Sequence, residues 1–196
     1  MQRTLVVFLK EPWPGRVKTR LARGLGPVGA AWWFRRQAAR LLRAVGRDPR
    51  WRTVLAVTPD RAGLASRVWP AGLARWPQGP GDLGARMGRA FAAMPPGPVL
   101  IVGADIPGVT AAHVAQGFRL LGRNEAVLGP AVDGGYWMIG LRRGARATPA
   151  GLFHGVRWSS PHALADTRRT LAPLEVGFAP TLADVDEAAD LRLPHS

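Results

Sequence analysis

The sequence predicts an α/β fold, a three-layer sandwich around a mostly parallel central sheet. Three observations carry that prediction. Strand-like and helix-like segments alternate along the chain, the pattern of a sheet built from crossover units. The run "GPVLIVGAD" (97–105) is continuously apolar, as a strand buried on both faces requires. The chemically distinctive residues mostly follow the strand-like runs, which is where ligands of such sheets bind.

Each element has its own signal. "TLVVFL" (4–9) reads as the first strand. A helical region runs from about Val17 to Gly46, interrupted near "GLGPVG", with Pro27 suited to open its second part. There Phe34, Ala38, Leu41, Leu42 and Val45 mark one face and Arg36, Arg40, Arg43 and Arg47 another. "RTVLAVT" (52–58) is a second strand, and "GLARWPQG" (72–79) a short extended piece. "GDLGARMGRAFAAM" (81–94) reads as a helix start followed by a helix, and 97–105 as the middle strand. "TAAHVAQGFRLL" (110–121) is a helix capped by Thr110. Residues 125–142 form two strands joined at a Gly-Gly turn, 160–172 a helix, and "LEVGF" a short strand. "DVDEAADLRL" is a last helix with an acidic first turn. The 196 residues suit one domain, 1–196, with a sizeable core.

Composition narrows the function classes. Hydrophobic residues make up 47%, which describes a globular chain. The absence of cysteine excludes disulfides, thiolate metal sites and Cys nucleophiles. The apolar part of "MQRTLVVFLK" is too short for a signal peptide, and no 18-residue apolar run exists, so a cytoplasmic location is expected. The net charge of +14 raises nucleic acid or an anionic membrane surface as partners. The Arg residues are nevertheless spread along the chain without a basic tail. The helical Arg stripe is either the water-facing side of a packed helix or a contact for a polyanionic partner or an anionic acceptor substrate.

The loop "FLKEPWPGRVKTRL" packs Lys10, Arg16, Lys18 and Arg20 around a turn containing Pro14 and Gly15. Of 27 basic residues only two are Lys, and both lie here. A compact ammonium on a flexible stem suits a phosphate oxygen where a flat guanidinium fits poorly, so this loop is a candidate phosphate site. "GLGPVG" matches the dinucleotide fingerprint only in letters, because it does not follow a strand directly. P-loop and nucleophile-elbow patterns are absent, and His113, His154, His162 and His195 show no ligand spacing.

The 13 acids are more selective. Asp105 leaves the buried middle strand into a turn closed by Pro107; it is either a turn cap or a ligand for Mg²⁺ or Mn²⁺, which take carboxylates together with phosphate oxygens. Asp133 beside Gly134 and Gly135 is either a hairpin residue or a site group. Asp184, Asp186 and Glu187 are helix caps or metal ligands. Asp82 and Arg86 stand behind a Gly-rich loop at a helix N-terminus, where free N–H groups favour anions.

In order, "FLKEPWPGRVKTRL", "QGPGDLGARM", "VGADIPGVT", "LGPAVDGGYWMIGL", "LFHGVRWSS" and "LADVDEAADL" resemble the radical-SAM/selenodomain-associated transferases, also described as arsenosugar-biosynthesis glycosyltransferases. The chain is more distantly similar to phospholactate guanylyltransferase and the molybdenum-cofactor nucleotidyltransferases, which share the basic first loop and the carboxylate after the middle strand. The resemblance implies a nucleotide-diphospho-sugar transferase fold of the glycosyltransferase-A type. It places nucleotide phosphates at Lys10, Pro14, Gly15, Lys18, Thr19 and Arg20, and base or ribose at Gly81, Asp82 and Arg86. It places Mg²⁺ or Mn²⁺ on Asp105 with Asp186 as second ligand, and sugar or acceptor at Asp133, Gly134, Gly135, Tyr136 and Trp158. Two positions depart from the pattern: Ala104 precedes Asp105, so there is no Asp-x-Asp, and Glu187 stands where such segments often carry Thr.

The reaction expected first is glycosyl transfer from a nucleoside-diphosphate sugar to a small-molecule acceptor. A metal on Asp105, with Lys10, Lys18 and Arg20, would neutralise the leaving diphosphate, and Asp133, or else Asp186, would act as base. The alternative is nucleotidyl transfer from a nucleoside triphosphate to a phosphorylated acceptor, releasing pyrophosphate. A third reading, from another class, is a basic RNA- or membrane-binding protein with a degenerate site. Nucleic acid is not the expected partner, and peripheral contact with an anionic membrane is compatible with the charge.

Overall fold

In the computed structural model, which describes residues 1–143, 148–183, 185, 187 and 190, the first strand organises the rest. β1 (Thr4–Lys10) is buried over most of its length, and its alternation sorts the core. Leu5, Val7 and Leu9 join one apolar cluster, whereas Val6 joins the other. Two covered faces explain why the run is apolar without a polar alternate.

β1 lies between β2 (Arg52–Thr58) and β4 (Val99–Gly103), parallel to both. β3 (Ala74–Pro77) adds outside β2 in the same sense. On the other side the order continues through β6 (Tyr136–Leu141), β5 (Ala126–Pro130) and β7 (Val176–Phe178), giving β3-β2-β1-β4-β6-β5-β7. β6 alone runs against its neighbours, antiparallel to both β4 and β5. The mostly parallel sheet is thus as expected. The antiparallel insertion was not specified by the sequence, because a turn between two apolar runs does not say which strand will neighbour β4.

Helices cover both faces. α1 (Ala22–Val45) and α4 (Ala111–Leu121) pack Phe34, Ala38, Leu41, Val114 and Phe118 on the Leu5 side. α3 (Leu83–Ala93) and α5 (Ala163–Thr170) pack Met87, Phe91 and Ala163 on the Val6 side. Thr110 caps α4, its side chain accepting from His113 N at 3.3 Å. No helix among the described residues is long and apolar enough to cross a membrane.

Two helix assignments differ from expectation, and one expected break is present. The helix begins at Ala22 and not Val17, because residues 19–21 form a turn and Lys18 takes φ +44°, a left-handed conformation no α-helix contains. The interruption at "GLGPVG" is real: Gly26 sits at φ 71°, ψ 161° within α1, and Pro27 follows it. A short helix, α2 (Asp60–Ala65), was not expected; it has only six residues and little apolar periodicity. The last expected helix lies largely outside the described residues, as do Asp184, Asp186 and His195. Val185 is fully buried against Leu21 and Ala30.

Gly140 in β6 shows how tightly the centre is filled. A Cβ there would stand 2.3 Å from Leu100 Cδ2 and 2.7 Å from Val127 Cγ1. Gly140→Ala is therefore expected to destabilise the fold by about 1–3 kcal/mol, the usual cost of overpacking, read as a lower denaturation midpoint. An unchanged midpoint would show that the sheet relaxes there freely.

Candidate active site

The parallel strands β1 and β4 release their chains at the same sheet edge, where a cleft of about 820 Å³ opens. Its lining brings together Lys10, Lys18, Thr19 and Arg20 from the first loop and Asp105 from the end of β4. Gly81, Asp82 and Arg86 come from the start of α3, and Asp133, Gly135, Tyr136 and Trp158 from the far side. Segments scattered over the whole sequence thus meet, as strand ends of such a sheet do.

The central contact is direct. Lys18 Nζ stands 3.1 Å from Asp105 Oδ2; the lysine side chain is 7% exposed and the aspartate 43%. The left-handed backbone of Lys18 lets the loop turn its side chain inward over β4 while Arg20 and Lys10 stay exposed. A nearly dry ammonium on a still-wet carboxylate leaves Asp105 able to accept a further ligand.

The other expected residues divide. Pro14 and Gly15 fall outside the lining; Gly15 (φ +74°) serves the turn in which Arg16 N donates to Trp13 O at 3.0 Å. Asp82 is the N-cap of α3, accepting from Ala85 N at 2.8 Å, and Arg86 Nε donates to Gly81 O at 2.9 Å. Both line the cleft while closing their own loop. Asp133 Oδ1 accepts from Gly135 N at 2.8 Å, an Asx turn, and its other oxygen has no protein donor among the described residues. Gly134 (φ +84°) is absent from the lining. A Cβ there would lie 2.3 Å from Pro161 O, so its role is the close approach of turn and loop.

Several contributors carried no sequence signal. Gln78 is buried and lines the cleft, donating to Ala56 O at 2.8 Å and Leu9 O at 3.2 Å. Arg89 holds the same loop, donating to Gln78 O at 2.9 Å and to Pro80 O. On the opposite wall Asp166 is buried and accepts from Arg157 Nε at 2.8 Å, Arg157 Nη2 at 2.9 Å and Arg157 N at 3.1 Å, and from Arg169. These bonds set residues 157–161, including Trp158, against the cleft. Trp158 packs at 5.9 Å from Phe153 and 6.4 Å from Tyr136, and its buried Nε1 finds no acceptor among the described residues. Thr167 Oγ1 donates to the Tyr136 hydroxyl at 3.3 Å, and burial pushes that phenol above its ordinary pKa.

Metal ligation rests on few groups. No three or more His, Asp or Glu side chains gather into a cation cage among the described residues, and Asp186 lies outside them. The Lys18 ammonium nevertheless marks a place at Asp105 where positive charge is accepted. The donor set fits a hard cation that brings phosphate and water oxygens with it.

Comparison with known proteins bears on the family and the fold. Residues 41–160 match a family described as "Uncharacterized protein conserved in bacteria (DUF2064)". No curated protein sequence matches the chain. A proposed nucleotide-diphospho-sugar transferase from Desulfovibrio desulfuricans G20 superposes with TM-score 0.81 at 30% identity, covering 95% of this chain and 84% of that one. Rv0371c from Mycobacterium tuberculosis H37Rv, in complex with manganese, superposes at 0.56 with 17% identity, covering 97% and 95%. CMP:2-keto-3-deoxy-manno-octonic acid synthetase complexed with CTP does so at 0.57 with 12% identity, covering 97% and 95%. The nucleotide-diphospho-sugar transferase fold is therefore that of this chain.

The Asp166 cluster has a pH signature. The arginine hydrogen bonds hold its carboxyl well below the usual carboxylate range. A depressed folded-state pKa contributes stability that is complete above the unfolded value near 3.8 and is lost as pH falls towards the folded value. Asp166→Asn is expected to lower the melting temperature at neutral pH, with the difference from wild type shrinking below about pH 4. A difference independent of pH would remove the charge from this account.

Proposed function

Because the chain belongs to the bacterial DUF2064 family and its cleft sets cations around one carboxylate, we propose that it is a transferase using a nucleotide-activated donor. The reading we favour is a glycosyltransferase that moves sugar from a nucleoside-diphosphate sugar to a small-molecule acceptor. The observation that carries it is the Lys18–Asp105 contact inside the cleft. Its resemblance to the arsenosugar-type glycosyltransferases and the 30% identity to the Desulfovibrio protein support the choice of donor.

In this mechanism Lys18, Lys10 and Arg20 receive the diphosphate and neutralise the charge that grows as the glycosidic C–O bond breaks. Gly81 and Asp82, in the loop that Gln78 and Arg89 brace, face the nucleoside. A divalent cation on Asp105, Mg²⁺ or Mn²⁺, would add charge neutralisation at the leaving phosphate. Asp133 offers its uncommitted oxygen to the acceptor hydroxyl and takes its proton as the new bond forms. Tyr136 and Trp158 flank the sugar or acceptor. The unmatched Trp158 Nε1 would regain a hydrogen bond there, the loss of which costs about 1–3 kcal/mol in a buried donor.

Nucleotidyl transfer is the second reading. It is favoured by two exposed cations, Lys10 and Arg20, flanking the nearly buried Lys18, which is ample charge for a triphosphate. The by-product separates the two. With nucleotide-sugar and nucleoside-triphosphate panels and Mg²⁺ or Mn²⁺, release of nucleoside diphosphate from a sugar donor is expected. Pyrophosphate from a triphosphate would transfer the assignment to the second reading. Lys18→Ala and Asp105→Ala are both expected to abolish turnover in a folded protein.

The ion pair also makes opposite-signed binding expectations. Lys18→Met frees Asp105 from its internal cation, so Mn²⁺ alone should bind more tightly, by about tenfold for a charge-assisted contact. The same change should weaken nucleotide binding by at least about tenfold. Titration calorimetry of each ligand reads both; parallel changes in the two affinities would reject the roles given to this pair.

A further inference from the structure

Residues 12–47 carry nine cations and no carboxylate. Within them, the part of α1 after Pro27 turns Phe34, Ala38, Leu41, Leu42 and Val45 into the core. The opposite stripe, at helical spacing, presents Val28, Trp32, Arg35, Arg36 and Arg43. Val28 is 70% exposed and Trp32 62%. The Arg36 guanidinium lies over the Trp32 ring, 5.4 Å from its centroid. Leu25, 40% exposed, continues the apolar end of the stripe, its Cβ 3.2 Å from where a Gly29 Cβ would stand. None of Arg35, Arg36, Arg43 and Arg47 forms an ion pair among the described residues.

A merely solvated face accounts for the arginines and not for what lies between them. Val28 and Leu25 have neither a donor for a phosphate nor a ring to stack, so they contribute nothing to a nucleic-acid contact. Against a bilayer every part of the stripe has a counterpart. Arginines meet anionic headgroups, the indole sits at the interface, and the aliphatic side chains enter the acyl boundary. Attachment of an unmodified helix scales with the apolar area it buries plus its attraction to anionic lipid, and this stripe offers both. The stripe also begins beside the cleft, since Ala22 N donates to Lys18 O at 2.9 Å where the phosphate loop becomes α1.

We propose that this face of α1 is a docking surface for an anionic phospholipid bilayer. Charge complementarity and the apolar tip select that occupant over RNA or a second copy of the chain.

The test uses the full chain with vesicles of neutral phosphatidylcholine, alone or with about 30% phosphatidylglycerol, in co-sedimentation at low and high salt. Partition is expected into the anionic vesicles only, weakening as salt rises. The surface pair Val28→Ser/Trp32→Ala should reduce partition by about tenfold, the loss of two inserted apolar groups, with an unchanged circular dichroism spectrum. Arg35→Gln/Arg36→Gln/Arg43→Gln should reduce it by more than about tenfold. The proposal is overturned by absence of anionic-vesicle binding or by full binding of the Val28/Trp32 variant. It is equally overturned if poly(U) RNA displaces the vesicles and binds both variants as wild type, or if sedimentation shows a Trp32-dependent dimer without lipid binding.

Discussion

The cleft depends on β1 and β4 lying side by side in the same direction. Their register pairs Thr4 with Val99 and Phe8 with Gly103, so β1 runs only two residues past the end of β4. A chain leaving β1 with its lysines and a chain leaving β4 with its aspartate have nowhere to go but the same edge. The ion pair of Lys18 and Asp105 follows from that register, and it is asymmetric in solvent. The ammonium is nearly dry and the carboxylate half-wet, so desolvation weighs on the lysine more than on the aspartate.

Both walls of the cleft are held by charges that do not face it. Arg89 ties down the backbone around Gln78, and Asp166 gathers Arg157 and Arg169 beneath the Trp158 loop. Arg89 binds backbone carbonyls, and the arginines on the buried Asp166 make charge-assisted bonds, which are stronger than neutral ones. The groups that would touch a ligand are therefore positioned by a second layer that need not touch it. Asp82 and Asp133 show the same economy at short range, each capping its own turn while lining the cleft.

Much of the fold was legible because its strands are apolar on both faces and its helices amphipathic. β1, β2, β4 and α4 stand within a residue or two of their sequence boundaries. The site was legible where chemistry is concentrated in one short stretch, as with the lysines of the first loop and Asp105. What was not legible is long-range: Gln78, Arg89 and Asp166 read as ordinary polar residues until the chain brings their partners near. The start of α1 was misplaced because "VKTRL" has good helix formers, and only the tertiary demand on Lys18 bends its backbone out of the helical region. The place of β6 is likewise a matter of sheet assembly, beyond any local pattern.

That reversed strand has a consequence of its own. Along the parallel half of the sheet, residues reach the cleft on leaving a strand; at β6 they reach it on entering one. The turn joining β5 to β6 therefore overhangs the opening without supporting any crossover helix. Relatives could lengthen that overhang into a cover, or trim it back, while the strand ends carrying Lys18 and Asp105 stayed untouched. The two rims of the opening can thus diversify independently.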